Sequence, residues 1–197
     1  MIDSSFVNKA VLAFRKGKIV IFPTDTVWGI GVSIESLEAI NRLYQIKKRD
    51  SSRPTAVLVG LIEQARVLGE ISNQGIAMIN KYWPGGLTIV VKAKNIVPKL
   101  IQGNGQKVGL RMPNNDLLLA ILGKLNCGIV ASSANFSGKP APWQKEMIDP
   151  RLIDLSDLVI KGETLASLPS TVIDLTMEPY QVIRSGLIPS GKLPLDK

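Results

Sequence analysis

An α/β domain built on a mixed sheet is the fold this sequence predicts, and three observations predict it. Apolar strand-type runs alternate with helix-type stripes through most of the chain. Strands then crowd together in the last third. The 197 residues are 45% hydrophobic and 20% charged, a globular composition on a chain long enough to bury one sizeable core.

The elements follow in order. Ser4 or Ser5 can cap a first helix whose apolar stripe is Val7, Ala10, Val11 and Phe14, with Gly17 to end it. Lys18–Phe22 is an apolar strand that stops at Pro23, which cannot donate a ladder hydrogen bond. A polar Thr24-Asp25-Thr26 loop follows, at the kind of strand end where open α/β sheets place ligands. A second helix is expected over Ser36–Lys48 with Leu37, Ile40, Leu43 and Tyr44 facing inward, and its last turn carries Lys47, Lys48 and Arg49. Ala56–Val59 reads as a strand, and helices follow near Leu61–Leu68 and Asn73–Tyr82. Trp83-Pro84-Gly85-Gly86 is a turn before the β-branched strand Leu87–Ala93. Val108–Met112 is a short strand ended by Pro113, Asp116–Leu125 a helix, and Gly128–Ala131 a strand that opens into the polar loop Ser132–Gly138. Strands at Leu158–Ile160, Thr171–Leu175 and Gln181–Arg184 complete a domain over residues 1–188, and 189–197 reads as a loose Pro/Lys-rich tail.

Composition excludes several chemistries. The chain has no histidine and one cysteine, so Ser-His-Asp and Cys-His nucleophile pairs and His- or Cys-ligated zinc are out. None of the Gly-Lys pairs at 17–18, 123–124, 138–139 and 191–192 is followed by Ser or Thr, so there is no Walker loop. Glycines at 29/31 and 103/105 lack the third glycine of a dinucleotide fingerprint. No run approaches the ~20 apolar residues of a membrane span, and the N-terminus lacks signal-peptide character. Cys127 beside Gly128–Ala131 reads as a buried, inert thiol. A cytoplasmic setting without a membrane partner is the expectation. The net charge of +8 favours an anionic partner, whether nucleotide, phosphate or nucleic acid.

Strand ends in this chain carry polar or basic groups. Thr24 and Thr26, Arg111, Ser132 with Ser133 and Asn135, Ser170 and Arg184 all sit at such ends, and Lys47 and Arg49 close a helix. Converged, they make a pocket suited to a carboxylate and phosphates, since Arg grips either through parallel hydrogen bonds and Lys is a compact charge. Without a histidine base, positioning and charge stabilisation would carry catalysis. Each piece also has an ordinary reading. A basic last helical turn suits the helix dipole, Ser and Asn dominate turns, and Arg184 can be a surface charge. Arg111 is harder to dismiss, because an Arg in an apolar strand wants a partner.

The order of motifs resembles the YrdC/TsaC family of threonylcarbamoyl-AMP synthases. The matching segments are Pro23–Gly29, Lys47-Lys48-Arg49 with Arg53-Pro54, Trp83–Thr88, Val108–Pro113, Ser133–Gly138, Ser170–Leu175 and Val182–Gly186. The resemblance implies a twisted mixed sheet flanked by helices around a concave basic cavity, in the short stand-alone form. It implies the conversion of L-threonine, bicarbonate or CO2, and ATP to L-threonylcarbamoyladenylate and pyrophosphate, with Mg2+ carried by the nucleotide phosphates. The product would pass to the transferase machinery that modifies adenosine 37 of tRNA. Lys47, Arg49, Asn135 and Arg184 would hold ATP, with Lys47 and Arg49 stabilising charge on the phosphates. Thr24, Arg53, Arg111, Ser133 and Ser170 would hold threonine, Thr24 foremost. Trp28, Gly86, Asp50–Ser52, Leu168-Pro169 and Trp143 depart from the usual family pattern. Two other readings stay open. One is a non-catalytic module for double-stranded RNA or tRNA, which the charge supports and the 5% aromatic content opposes. The other is a carbamoyl-adenylate enzyme of the same fold.

Overall fold

A computed structural model describes residues 4–193 except 49, 51 and 53. The helices are α1 (Ser4–Arg15), α2 (Leu37–Lys47), α3 (Ile62–Leu68), α4 (Asn73–Tyr82), α5 (Asp116–Leu125) and α6 (Pro150–Asp154). The strands are β1 (Val20–Phe22), β2 (Gly29–Ser33), β3 (Ala56–Leu58), β4 (Gly69–Glu70), β5 (Leu87–Ala93), β6 (Lys107–Arg111), β7 (Ile129–Ser133), β8 (Leu158–Val159), β9 (Thr171–Asp174) and β10 (Gln181–Arg184). All join one mixed sheet in the order β10-β9-β5-β6-β3-β7-β2-β1-β8, with β4 added on β5. The β3–β6, β5–β9 and β1–β8 pairs are parallel and the rest antiparallel.

Strand alternation assigns each side of the sheet its work. One face presents Ile21, Ile30, Val57, Ile89, Leu110, Val130 and Ile173 to the larger core, which α2, α3, α4 and α6 complete with Ile40, Leu43, Ala65, Leu68, Met78, Ile79 and Leu152. The other face presents Val20, Phe22, Leu58, Ile129 and Ala131 to a smaller core under α1 and α5, closed by Val7, Val11, Phe14, Leu118, Ile121 and Leu122. Those two helices cover only part of their face. The uncovered part is floored by small residues and holds the cavity described below.

The expected helices form, three of them with the caps their sequences offer: Ser36 accepts from the Ala39 N–H, Ser72 from Gly75 and Asn115 from Leu118. Several expectations need correction. Leu37, expected to face inward, is 59% exposed, because it opens α2 one turn before the buried stripe of Ile40, Leu43 and Tyr44. Ser132 and Ser133, expected in a loop, extend β7 because they pair with Ile30 and Gly29. The glycine-rich β2 was not expected at all, and it is central, hydrogen-bonded to β1 and β7. Cys127 is half-buried rather than buried. The described part of the tail is anchored: Ser190–Lys192 forms a 3-10 turn, Leu193 is buried, and the Tyr82 hydroxyl donates to the Lys192 carbonyl.

Candidate active site

The register that builds the sheet also builds a concave floor. Ala56 pairs with both Gly109 and Ala131, and Ala131 pairs with Gly31. Ala56, Gly109 and Ala131 line the part of this face that α1 and α5 leave open. A Cβ on Gly31 would lie 2.6 Å from the Val130 carbonyl oxygen, and one on Gly29 2.7 Å from the Phe22 ring. Only glycine lets β2 lie so close to its neighbours at these points. The result is a cavity of about 190 Å3 whose walls include Thr24, Thr26, Thr88, Arg111, Ser133, Ser170 and Arg184.

Thus seven of the residues singled out in the sequence, Thr24, Thr26, Arg111, Ser132, Ser133, Ser170 and Arg184, line one cavity. Lys47 and Asn135 join it through Ser133. The Lys47 ammonium, on a side chain 3% exposed, donates to the carbonyls of Ser133 and Asn135, each at 2.5 Å. The Ser133 hydroxyl donates to Asn135 Oδ1, and the Asn135 amide donates to the Lys139 carbonyl. Ser137 N–H closes the circle onto the Lys47 carbonyl at 3.1 Å. The C-terminal turn of α2 is therefore sewn to the exit of β7. Arg49 and Arg53 lie outside the described residues.

Arg111 finds the partner that an arginine in an apolar strand demands. Its Nη2 donates to Asp25 Oδ1 at 2.6 Å, its Nη1 to Thr26 Oγ1 at 2.8 Å and its Nε to the Gly85 carbonyl at 3.0 Å. Both members of the ion pair are nearly buried, Arg111 at 6% and Asp25 at 5% exposure. Burial lowers the Arg111 pKa from its ordinary value, and Asp25 opposes that shift. Thr24, the residue favoured from the sequence, spends its hydroxyl within its own loop, donating to the Val27 carbonyl at 2.7 Å and accepting the Thr26 N–H at 3.0 Å.

Arg184 straddles Ser170. Its Nε and Nη2 donate to the Ser170 carbonyl at 3.1 and 2.9 Å, and Nη2 reaches the Ser170 hydroxyl at 3.0 Å. That hydroxyl also shares a hydrogen bond of 2.7 Å with Thr88. No aspartate or glutamate lines the cavity among the described residues. Two guanidinium groups beside neutral hydroxyls, without a lining carboxylate, suit a ligand carrying negative charge. Among the described residues no cluster of three or more His, Cys, Asp or Glu could hold a metal ion, and no helix is long and apolar enough to cross a membrane.

Sequence reasoning passed over Asp25 as a loop-shaper, Thr88, and the small-residue floor. The floor had a signal: Gly29-Ile30-Gly31-Val32 alternates tiny with β-branched residues, the pattern of a strand with one crowded face. Trp28, for which the sequence offers no role beyond packing, is 1% exposed. Its backbone N–H donates to the Pro142 carbonyl and its carbonyl accepts from Ala134, both at 2.8 Å. Gly86 also has a reason, since Leu187 fills the space where its Cβ would stand, 2.8 Å away. A larger cleft of about 1020 Å3 lies elsewhere, lined by Ile34, Leu61, Val67 and Cys127 among others, and none of the described sequence-predicted site residues lines it. Burial pushes the Cys127 thiol pKa up there, against a hydrogen bond shared with Ser33.

Comparison with known proteins agrees with this geometry. The family model Sua5_yciO_yrdC, described as "Telomere recombination", matches residues 12–186. The threonylcarbamoyl-AMP synthase of Pyrococcus abyssi is 35% identical over 177 residues, covering 89% of this chain and 52% of its own. The crystal structure of P. abyssi Sua5 complexed with L-threonine superposes with a TM-score of 0.91 at 33% identity, over 95% of this chain and 56% of that one. Escherichia coli YciO superposes with a TM-score of 0.86 at 28% identity, over 93% of this chain and 90% of that one. The chain spans about half the length of the P. abyssi relatives. With its model matched from 12 to 186 and the fold shared throughout, the chain belongs to the Sua5/YciO/YrdC family.

Proposed function

We propose that this chain is a threonylcarbamoyl-AMP synthase, forming L-threonylcarbamoyladenylate and pyrophosphate from L-threonine, bicarbonate or CO2, and ATP. The observation that carries the reading is the convergence of Arg111, Ser170, Arg184 and Ser133 on one cavity with no carboxylate among its described lining residues, in a chain that superposes on a threonine-bound Sua5 at a TM-score of 0.91. Residues 1–188 form the catalytic unit and 189–197 an appendage to it.

The chemistry asks for little beyond placement. The threonine amine captures CO2 as a carbamate and loses a proton. A carbamate oxygen then attacks the α-phosphorus of ATP, the bond to the β-phosphate oxygen breaks, and pyrophosphate leaves. Arg111 and Ser170, with Ser133 and Arg53, hold the amino acid. Thr24 shapes the wall. Asn135 and Arg184 hold the nucleotide, and Lys47 and Arg49 stabilise the charge that grows on the phosphates. Magnesium would be carried by the phosphates of the nucleotide, where it would offset their charge. The product serves the tRNA-modifying transferase that installs threonylcarbamoyladenosine at position 37, in the cytoplasm, and the +8 charge supports weak contact with tRNA.

The test is pyrophosphate release by the purified protein with ATP and magnesium. Release is expected only when threonine and bicarbonate are both present. Equal release without threonine overturns the reading, and release driven by carbamoyl phosphate instead supports the carbamoyl-adenylate alternative. No release at all, with RNA binding that weakens steeply in salt, favours the binding module.

A further inference from the structure

The loop after β1 is built as a one-way chain of hydrogen bonds. Arginine only donates. Arg111 Nη1 gives a proton to Thr26 Oγ1 at 2.8 Å. Thr24 Oγ1 and Thr26 Oγ1 lie 2.9 Å apart, and Thr24 already gives its single proton to the Val27 carbonyl. Thr26 must therefore donate to Thr24. The Thr26 N–H fills the second lone pair of the same oxygen. The order runs Arg111 to Thr26 to Thr24 to Val27, fixed at one end by an obligate donor and at the other by an obligate acceptor. The Thr24 hydroxyl is saturated and has nothing left for a ligand.

Asp25 sits at the head of this chain. Its Oδ1 takes one Nη2 proton of Arg111, while Nε is held by Gly85. Three of the five guanidinium N–H groups are thus committed, leaving two, one on each Nη. Arg111 lines the cavity, and Asp25 does not. We propose that Asp25 is a positioning residue: its carboxylate, with Gly85 and Thr26, locks the plane of Arg111 so that the two remaining N–H groups meet the carboxylate of the amino-acid substrate. The inference rests on the reading above that the cavity takes L-threonine.

A competing electrostatic role predicts the opposite result. An acidic neighbour close to a bound carboxylate repels it, so if charge alone mattered, Asp25→Asn would tighten threonine binding. Locking predicts loss. The experiment measures kcat and KM for threonine and for ATP in the pyrophosphate-release assay, for wild type, Asp25→Asn, Arg111→Gln and the double variant. Asp25→Asn is expected to raise KM for threonine at least tenfold, to change kcat less than threefold and to leave KM for ATP within twofold. In the Arg111→Gln background, Asp25→Asn is expected to have no further effect on kcat/KM for threonine. Unchanged or lowered KM for threonine, or the same fold-loss in both backgrounds, overturns the proposal. Should Asp25→Asn not fold, Thr26→Val removes one anchor of the same guanidinium without changing charge. It is expected to raise KM for threonine as well, and an unaltered KM there overturns the proposal. A wild-type protein that does not use threonine overturns the substrate reading and this inference together. A threonine-dependent wild type with an indifferent Asp25→Asn variant overturns the inference alone.

Discussion

Replacing Lys47 with methionine is expected to cost stability as well as any catalysis the ammonium supports. Lys47 ends α2 and is 3% exposed, so its charge sits at the negative end of a helix, where a cation is favoured. Its Nζ donates to two backbone carbonyls at 2.5 Å, those of Ser133 and Asn135. Methionine keeps the apolar stem and removes both donations. Hydrogen bonds from a charged group contribute about 1.5–3 kcal/mol each. Relief from burying an ammonium returns part of that, for a net loss of about 3 kcal/mol. In a chain of this size 1 kcal/mol moves Tm by roughly 2–4 °C, so Lys47→Met is expected to melt about 6–12 °C below wild type. Differential scanning calorimetry measures this, and pyrophosphate release well below both melting points separates chemistry from folding. A Tm within about 2 °C of wild type would refute the reasoning, because it would mean that the ammonium faces water and stitches nothing.

Two further outcomes follow from ion-paired carboxylates and from a buried ring. Burial pushes the Asp174 carboxyl up, but Lys107 and Thr176 outweigh it and hold its pKa below the usual range; Asp157 behaves likewise under the Ile19 N–H, Arg42 and Lys18. Carboxylates with depressed folded pKa values stabilise the fold above their unfolded pKa of about 3.9, and that stability is lost as pH falls from there through the folded values. Tm is therefore expected to hold between neutral pH and roughly 5 and then decline, with Asp174→Asn showing a shallower acid decline; an identical decline in the variant would refute the assignment. Trp28→Ala empties a site that is 1% exposed and is expected to cost about 3–5 kcal/mol in denaturant unfolding, and a loss below about 1 kcal/mol would show that the ring is not a core element.

What the sequence made legible, and what it hid, divides along physical lines. Runs such as Ile19–Phe22 and Leu87–Val91 declare themselves because buried strands are dense in β-branched and aromatic residues. Helices declare themselves through apolar stripes such as Val7, Ala10, Val11 and Phe14, all buried in α1. β2 hides because glycine weakens any strand signal, yet its glycines are what let Phe22 and Val130 approach and leave room for the cavity. The need of Arg111 for a partner was legible, but the partner was not: Asp25 lies 86 positions away and only the register brings the two strands' ends together. Which of the three polar residues after Pro23 faces a ligand depends on the direction of hydrogen bonds, and no residue pattern encodes that.

One consequence reaches beyond individual residues. Among the described residues, three cations of the site each hold a backbone carbonyl: Arg111 that of Gly85, Arg184 that of Ser170, Lys47 those of Ser133 and Asn135. Each of those carbonyls belongs to a loop or strand end beside the cavity. A carboxylate or phosphate is a stronger acceptor for a cation than a neutral carbonyl, so an anionic ligand can draw these donors toward itself. Asp25 is the exception, since a carboxylate does not yield its guanidinium to a second carboxylate on those terms. Arg111 is therefore held by a carboxylate, whereas Arg184 also meets the Ser170 carbonyl and Lys47 the carbonyls of Ser133 and Asn135. On the proposed reading, the guanidinium locked by Asp25 is the grip suited to a small substrate that must be aligned.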